Sequence, residues 1–402
     1  MIPNARFATT SCIILAISSF FFGCDPDAEP GGSGGETWDV WAPVHQEASS
    51  AVDAADARQP MDAAAAAACA PPSDIYQPIE KLSLTGCVDR YDPKKFAATA
   101  IDYEVNSPLW SDSADKSRAF VLPDGGKIHV KNCTITSAEC AQGSADNDKW
   151  VFPVGAVMIK NFLFDGKFVE TRLFMHADDA TWVGYSYQWD EAQTDATVVS
   201  FDRQTVTFHT GTRAVDWHDP NRKDCMDCHN GAAGFTLGLD TAQMNRVVSG
   251  KNQIDRLAAM ELFDAPPPAP YKSALVMPYA GQLGAPPSTA TVEQRARSYL
   301  QANCAFCHRP DGTFGHFDLR YDVPLKDTHI CNAAVTKGAV GVDGGATHIL
   351  VPGRPEDSAL WVRMNQLDPN SGRMPAIGTY EVDAEGVKLV GDWISSLQVC
   401  PL

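Results

Sequence analysis

Two short segments carry the chemistry of this chain: Cys225-Met226-Asp227-Cys228-His229 and Cys304-Ala305-Phe306-Cys307-His308. Both are CxxCH. Two thiols at this spacing on a tight turn form thioethers to the two vinyl groups of one haem. The His after the second Cys is then held beneath the iron as proximal ligand. Two readings compete: a structural zinc shared by both CxxC pairs, and a thioredoxin-like thiol pair beside an incidental His. Two independent CxxCH motifs behind an export-type start favour haem over both. The expected cofactors are two covalently bound haem c groups, with His229 and His308 on the iron.

The second motif has a candidate sixth ligand in Arg373-Met374-Pro375, on a loop ahead of a final amphipathic helix. A thioether there favours ferrous iron and raises the potential, so Met374 joins the expected metal ligands. Met364 is the rival, but it shares a helical face with Leu360 and Trp361 and reads as core. For the first motif Met244, His218, Met260, Met277 or no sixth ligand at all stay open. Arg320, Arg354, Arg363 and Arg373 are candidate partners for haem propionates, because guanidinium matches carboxylate geometry. His129, His176 and His209 read as surface or packed histidines, and no catalytic constellation is found.

The elements around these motifs read as follows. Residues 1–23 form an export signal, too short and too rich in Ser and Thr for a membrane span. It ends in Phe21-Phe22-Gly23-Cys24, which resembles a lipoprotein cleavage site and makes Cys24 a candidate lipid anchor. Residues 24–75 form a disordered tether, with Gly31-Gly32-Ser33-Gly34-Gly35 and an Ala/Asp-rich stretch. Residues 76–215 form a β-rich domain. Asp165-Gly166 between apolar runs predicts a tight hairpin, and Asp124-Gly125-Gly126 predicts a second between Phe120–Leu122 and Lys127–Val130. The alternation of Trp182, Tyr185, Tyr187 and Trp189 reads as a strand in a sheet core. Residues 216–285 form a first haem domain and 286–402 a second. The box Thr291…Gln294 starts a helix into Cys304, and Asp383–Leu397 carries an apolar stripe. The expected fold is α+β and multidomain: an N-terminal antiparallel β-rich domain followed by two small all-α cytochrome c-like haem domains.

Composition narrows the class. With a net charge of -18 over 402 residues, nucleic acid and bare anionic lipid both repel the chain, whereas a basic protein patch suits it. Of 12 cysteines, Cys12 leaves with the signal, Cys24 carries lipid and four belong to the motifs. The remaining six suggest disulfides in an oxidising compartment, with Cys69–Cys87, Cys133–Cys140 and Cys331–Cys400 the preferred pairing among many.

Several further segments carry a resemblance: Leu237-Gly238-Leu239-Asp240-Thr241-Ala242-Gln243-Met244-Asn245, Arg295-Ala296-Arg297-Ser298-Tyr299-Leu300, Asn303 to Pro310, Val351-Pro352-Gly353-Arg354-Pro355 and Arg373-Met374-Pro375. Upstream, Asn106-Ser107-Pro108-Leu109-Trp110-Ser111-Asp112 and Phe152-Pro153-Val154-Gly155 extend it. Together with the motifs they resemble a bacterial family of exported dihaem c-type cytochromes known mainly from genome sequences, over about residues 76–402. The resemblance implies haem at His229 and His308 and a redox role in the periplasm or on a membrane. Similar paired-haem regions occur fused to quinoprotein sugar-dehydrogenase-like domains, which implies a separate dehydrogenase as one partner. Two functions follow as expectations. The favoured one is an electron carrier between periplasmic or membrane redox proteins. The alternative is a dihaem peroxidase-like reductase with one five-coordinate haem.

Overall fold

The computed structural model describes residues 67–132, 148–200, 202, 204–211, 214–271, 273–279, 289–336, 345–368 and 372–401. The expected signal, Cys24, most of the tether and the Cys133–Cys140 pair lie outside the described residues. The described residues belong to one compact unit, Asp62–Leu402.

The centre is a six-stranded antiparallel sheet in the order β1-β2-β5-β6-β7-β8. Its strands are β1 (Ile101–Asp102), β2 (Asp115–Val121), β5 (Val157–Phe164), β6 (Lys167–Asp178), β7 (Thr181–Trp189) and β8 (Ala196–Val198). The Asp165-Gly166 turn joins β5 to β6 as the sequence predicts, with φ of 50° and 77°. The second predicted hairpin does not form. β2 pairs with β1 and β5, while β3 (His129–Val130) pairs with β4 (Trp150–Val151). The apolar register of β2 is satisfied by β5, so the Asp124-Gly125-Gly126 turn redirects the chain instead of folding it back.

Both faces of the sheet are covered, which is why β5, β6 and β7 are buried along most of their length. Alternate side chains serve two cores. Ile159, Leu173, Tyr185, Tyr187 and Trp189 pack with Leu82 and the Cys69–Cys87 disulfide on one face. Met158, Phe174 and Trp182 face a second core on the other. A smaller antiparallel pair, β9 (Gln204–His209) and β10 (Ala214–Asp219), follows.

The expected pair of all-α haem domains is not what the chain forms. After β10 come α1 (Arg222–Cys228), α2 (Thr241–Met244), the hairpin β11 (Val247–Val248) and β12 (Lys251–Asn252), and α3 (Gln253–Ala259). Helices of four to seven residues are too short to enclose a core of their own. Leu239, Met244, Ile254, Leu257 and Phe263 therefore join the core that Phe120, Trp150, Phe152 and Phe174 supply from the strand region. The third part holds α4 (Val292–Asn303), α5 (Ala359–Met364) and α6 (Ala384–Ser396), with a largely irregular chain between α4 and α5. Tyr299 and Leu300 pack with Val387, Val390, Trp393 and Ile394, and the Cys331–Cys400 disulfide ties the irregular chain to the terminus beyond α6.

The segment Asn106–Asp112 straps these parts together. The Asn106 amide donates to the carbonyls of Ala242 and Asn245, and the Ser107 hydroxyl donates to that of Ser298. The Asn303 side chain accepts from the Trp110 N–H, while Asp112 accepts from the N–H groups of Tyr380 and Glu381. The same residues that read as a motif in the sequence thus pin both CxxCH regions to the sheet. Among the described residues no helix is long and apolar enough to cross a membrane.

Candidate functional site

The first motif is set by α1. Asn221 and Asp224 form a reciprocal capping box, which starts the helix so that Cys225 and Cys228 lie one turn apart. His229 is the C-cap, and its N–H donates to the Cys225 carbonyl. Helix and β7 meet at Gly184, where a Cβ would lie only 3.0 Å from the Cys225 Sγ. The His229 ring packs 4.3 Å from the Phe174 ring, and its Nδ1 lies 2.6 Å from the Phe235 carbonyl oxygen. A carbonyl only accepts, so Nδ1 carries the proton and the Nε2 lone pair is open. Burial pushes the imidazole down to about 4, which keeps it neutral at pH 7.

Cys225, Cys228 and His229 line a cavity of about 190 Å³ whose wall is the sheet. Two cross-strand rows make that wall. Met158, Phe174 and Gly184 are directly paired and apolar. The next row on the same face is Arg118, Lys160, Arg172 and Ser186, again directly paired from β2 to β7. Glu170, fully buried, accepts two hydrogen bonds from Arg172 and one from the Trp217 indole. Sequence reasoning missed this row. Its signal is Lys160 in the middle of a strand that is apolar apart from it and Asn161.

The second motif follows α4, whose Thr291–Gln294 capping box forms as predicted. His308 stacks on Phe317 at 4.4 Å, and burial pushes it too down to about 4. Met374 lies between α5 and α6. Its N–H donates to the Arg363 carbonyl, and its side chain lines a small cavity of about 20 Å³ with Met364 and Tyr299. His308 does not line that cavity. Arg363 links the two, because its charge also acts on His308.

The two motifs touch. The Asn230 amide donates to the Phe306 carbonyl, and the Thr313 hydroxyl donates to that of Asp227. The Cys307 thiol donates to the Asp227 carbonyl, and interaction between Cys228 and Cys307 raises the first thiol and lowers the second. Burial pushes Cys225 up to about 11 and Cys304 to about 12. All four motif thiols are unbridged, whereas Cys69–Cys87 and Cys331–Cys400 are disulfides. Among the described residues no three His, Cys, Asp or Glu side chains converge into a metal cage.

Other candidates sort by position. Met244 is fully buried in the core, where its sulfur accepts from Gln253. Met260 is exposed and Met277 is buried, and neither lines the first cavity. His218 does line it, with Nδ1 on the Thr205 hydroxyl and its ring stacked on Tyr380. Arg320 is taken by Asp318 and Arg354 by Asp357, so the arginines chosen from sequence are not free for an anion there. Arg363 donates to the Gly372 carbonyl, and Arg373 lies over Tyr380. His129 pairs with Asp264, His176 stacks on Trp182, and His209 is exposed near Glu191.

Comparison with family models, with curated proteins and with solved structures returned no match for this chain.

Proposed function

We propose that this chain is an exported dihaem c-type cytochrome that carries electrons between redox partners of the periplasm or cell envelope. The observation that carries the reading is His229: a neutral imidazole with Nδ1 committed to a carbonyl and Nε2 open, beside two unbridged thiols at one cavity. These residues fit an iron porphyrin, with thiols for its vinyl groups, a nitrogen for its metal and an apolar wall for its plane. When bound, that group supplies a one-electron couple whose potential follows axial ligation and burial.

Cys225 and Cys228 would hold one haem and Cys304 and Cys307 the other, with His229 and His308 on the irons. The neutral state of both imidazoles keeps their lone pairs available without a proton to displace. The packed rings around each histidine exclude water and hold its plane. Contact between Cys228 and Cys307 keeps the two attachment points adjacent, which shortens any path between them. Met374 is our sixth ligand for the second site, because its N–H donates to the carbonyl of Arg363, whose charge acts on His308. His218 is our choice for the first, because Met244, Met260 and Met277 do not line its cavity. The acidic chain suits a basic docking patch on a partner, a separate dehydrogenase among them, with the chain tethered by lipid at Cys24.

The test is protein matured with a haem-attachment system. Two haems per chain by mass and low-spin spectra in both redox states are expected. Colourless protein, or zinc on the four thiols, defeats the proposal. A high-spin first haem that binds carbon monoxide moves it to the second reading, a peroxidase-like reductase, which rests on His218 being the sole sequence candidate at that cavity.

A further inference from the structure

Resting on the haem reading above, we propose that Arg118, Lys160 and Arg172 form a built anion site that holds the two propionate carboxylates of the group attached at Cys225 and Cys228. The three cations stand directly opposite one another on adjacent strands of one sheet face. Like charges in that register repel, and a sheet tolerates them only when something neutralises them. Arg118 is 7% exposed. Among the described residues no carboxylate forms an ion pair with Arg118 or Lys160, and the Lys160 ammonium lies over the Phe162 ring, 5.0 Å from its centroid.

Charge counting defines the ligand. Glu170 offsets Arg172, which leaves two positive charges on the row. Desolvation drives both Arg118 and Lys160 down, so the site is costly without an anion. The same cavity presents Met158, Phe174 and Gly184 one register step away, on the side of Cys225 and His229. The ligand that fits is an apolar plate with two carboxylates along one edge. Ser186 extends the row as a neutral hydroxyl.

Reduction lowers the positive charge on iron, so nearby cations favour the oxidised form less and raise the potential. Redox titration of the two-haem protein is therefore the test, on Arg118→Gln and Lys160→Gln. One of the two potentials is expected to fall by a tenfold change in its reduction equilibrium or more, about 59 mV for one electron. The other potential stays in place, both haems stay attached, and Lys160→Arg and the surface control Arg354→Gln behave as wild type. Redox-difference infrared spectra of the wild type supply a second measure if a glutamine variant does not accumulate. Carboxylate bands of ion-paired propionates are expected, and bands of solvated propionates overturn the site. Colourless wild-type protein defeats the haem reading itself. A two-haem wild type whose potentials ignore both glutamine substitutions defeats the anion site alone.

Discussion

Replacing Gly184 by alanine tests the seam between the sheet and the first motif. The added Cβ would meet the Cys225 Sγ at 3.0 Å, the Cys225 Cβ at 3.3 Å and Phe174 at 3.6 Å. The first two are tighter than ordinary contact, and the sheet behind Gly184 is packed on both faces, so α1 has to give. Overpacking of this kind costs about 1–3 kcal/mol. That moves the balance between docked and undocked α1 by about 5- to 150-fold toward undocked. The thiols and His229 then leave the cavity more often during maturation. The assay counts haems per chain by mass, alongside urea melts. Chains with one haem, attached at Cys304 and Cys307, are expected to accumulate. Gly211, with nothing within 4 Å of its Cβ position, supplies the control. A Gly184→Ala protein with two haems and wild-type stability would refute the argument that α1 depends on this contact.

Four further outcomes are expected. The disulfides close stretches of 69 and 18 residues, for which loop-closure entropy corresponds to about 4.4 and about 3.2 kcal/mol. Urea melts should show the Cys331→Ser/Cys400→Ser pair costing more than Cys69→Ser/Cys87→Ser, and the reverse order counts against this account. Burial beside Glu170 pushes Asp219 up to about 8, so between about pH 4 and pH 8 the folded chain binds a proton the unfolded chain lacks. Stability contributed there falls as pH rises through that window, and Asp219→Asn should flatten the slope; an unchanged slope rejects it. Met364→Ala should lose about 2–5 kcal/mol as a buried core truncation with its spectrum intact. Met374→Ala should instead change the spectrum and lower one potential, and a silent Met374→Ala removes it as a ligand.

The parts legible in the sequence share a property: their signals are local. The CxxCH spacing, the Asp165-Gly166 turn and the Thr291…Gln294 cap each act within a few residues, and each forms the predicted backbone. The helix pair beside the second motif was readable because an amphipathic stripe needs an apolar partner. What failed was assembly. The short segments after Cys228 carry helical periodicity, but at four to seven residues they pack on the sheet instead of on each other. Two of the four arginines picked for propionates, Arg320 and Arg354, proved occupied by neighbouring carboxylates two or three residues away, a competition that residue type does not display.

Residue identity and spacing were enough to propose a chemical role for four thiols and two histidines, because each motif lies within five consecutive residues. Only the tertiary structure decided what faces them. Strand register sets Arg118 beside the distant Lys160, and Lys160 beside Arg172 across a hairpin whose pairing shifts between Phe162 and Leu163. Register between β2 and β5 is a long-range agreement, set by burial on both faces of the sheet, and a linear sequence carries no local sign of it.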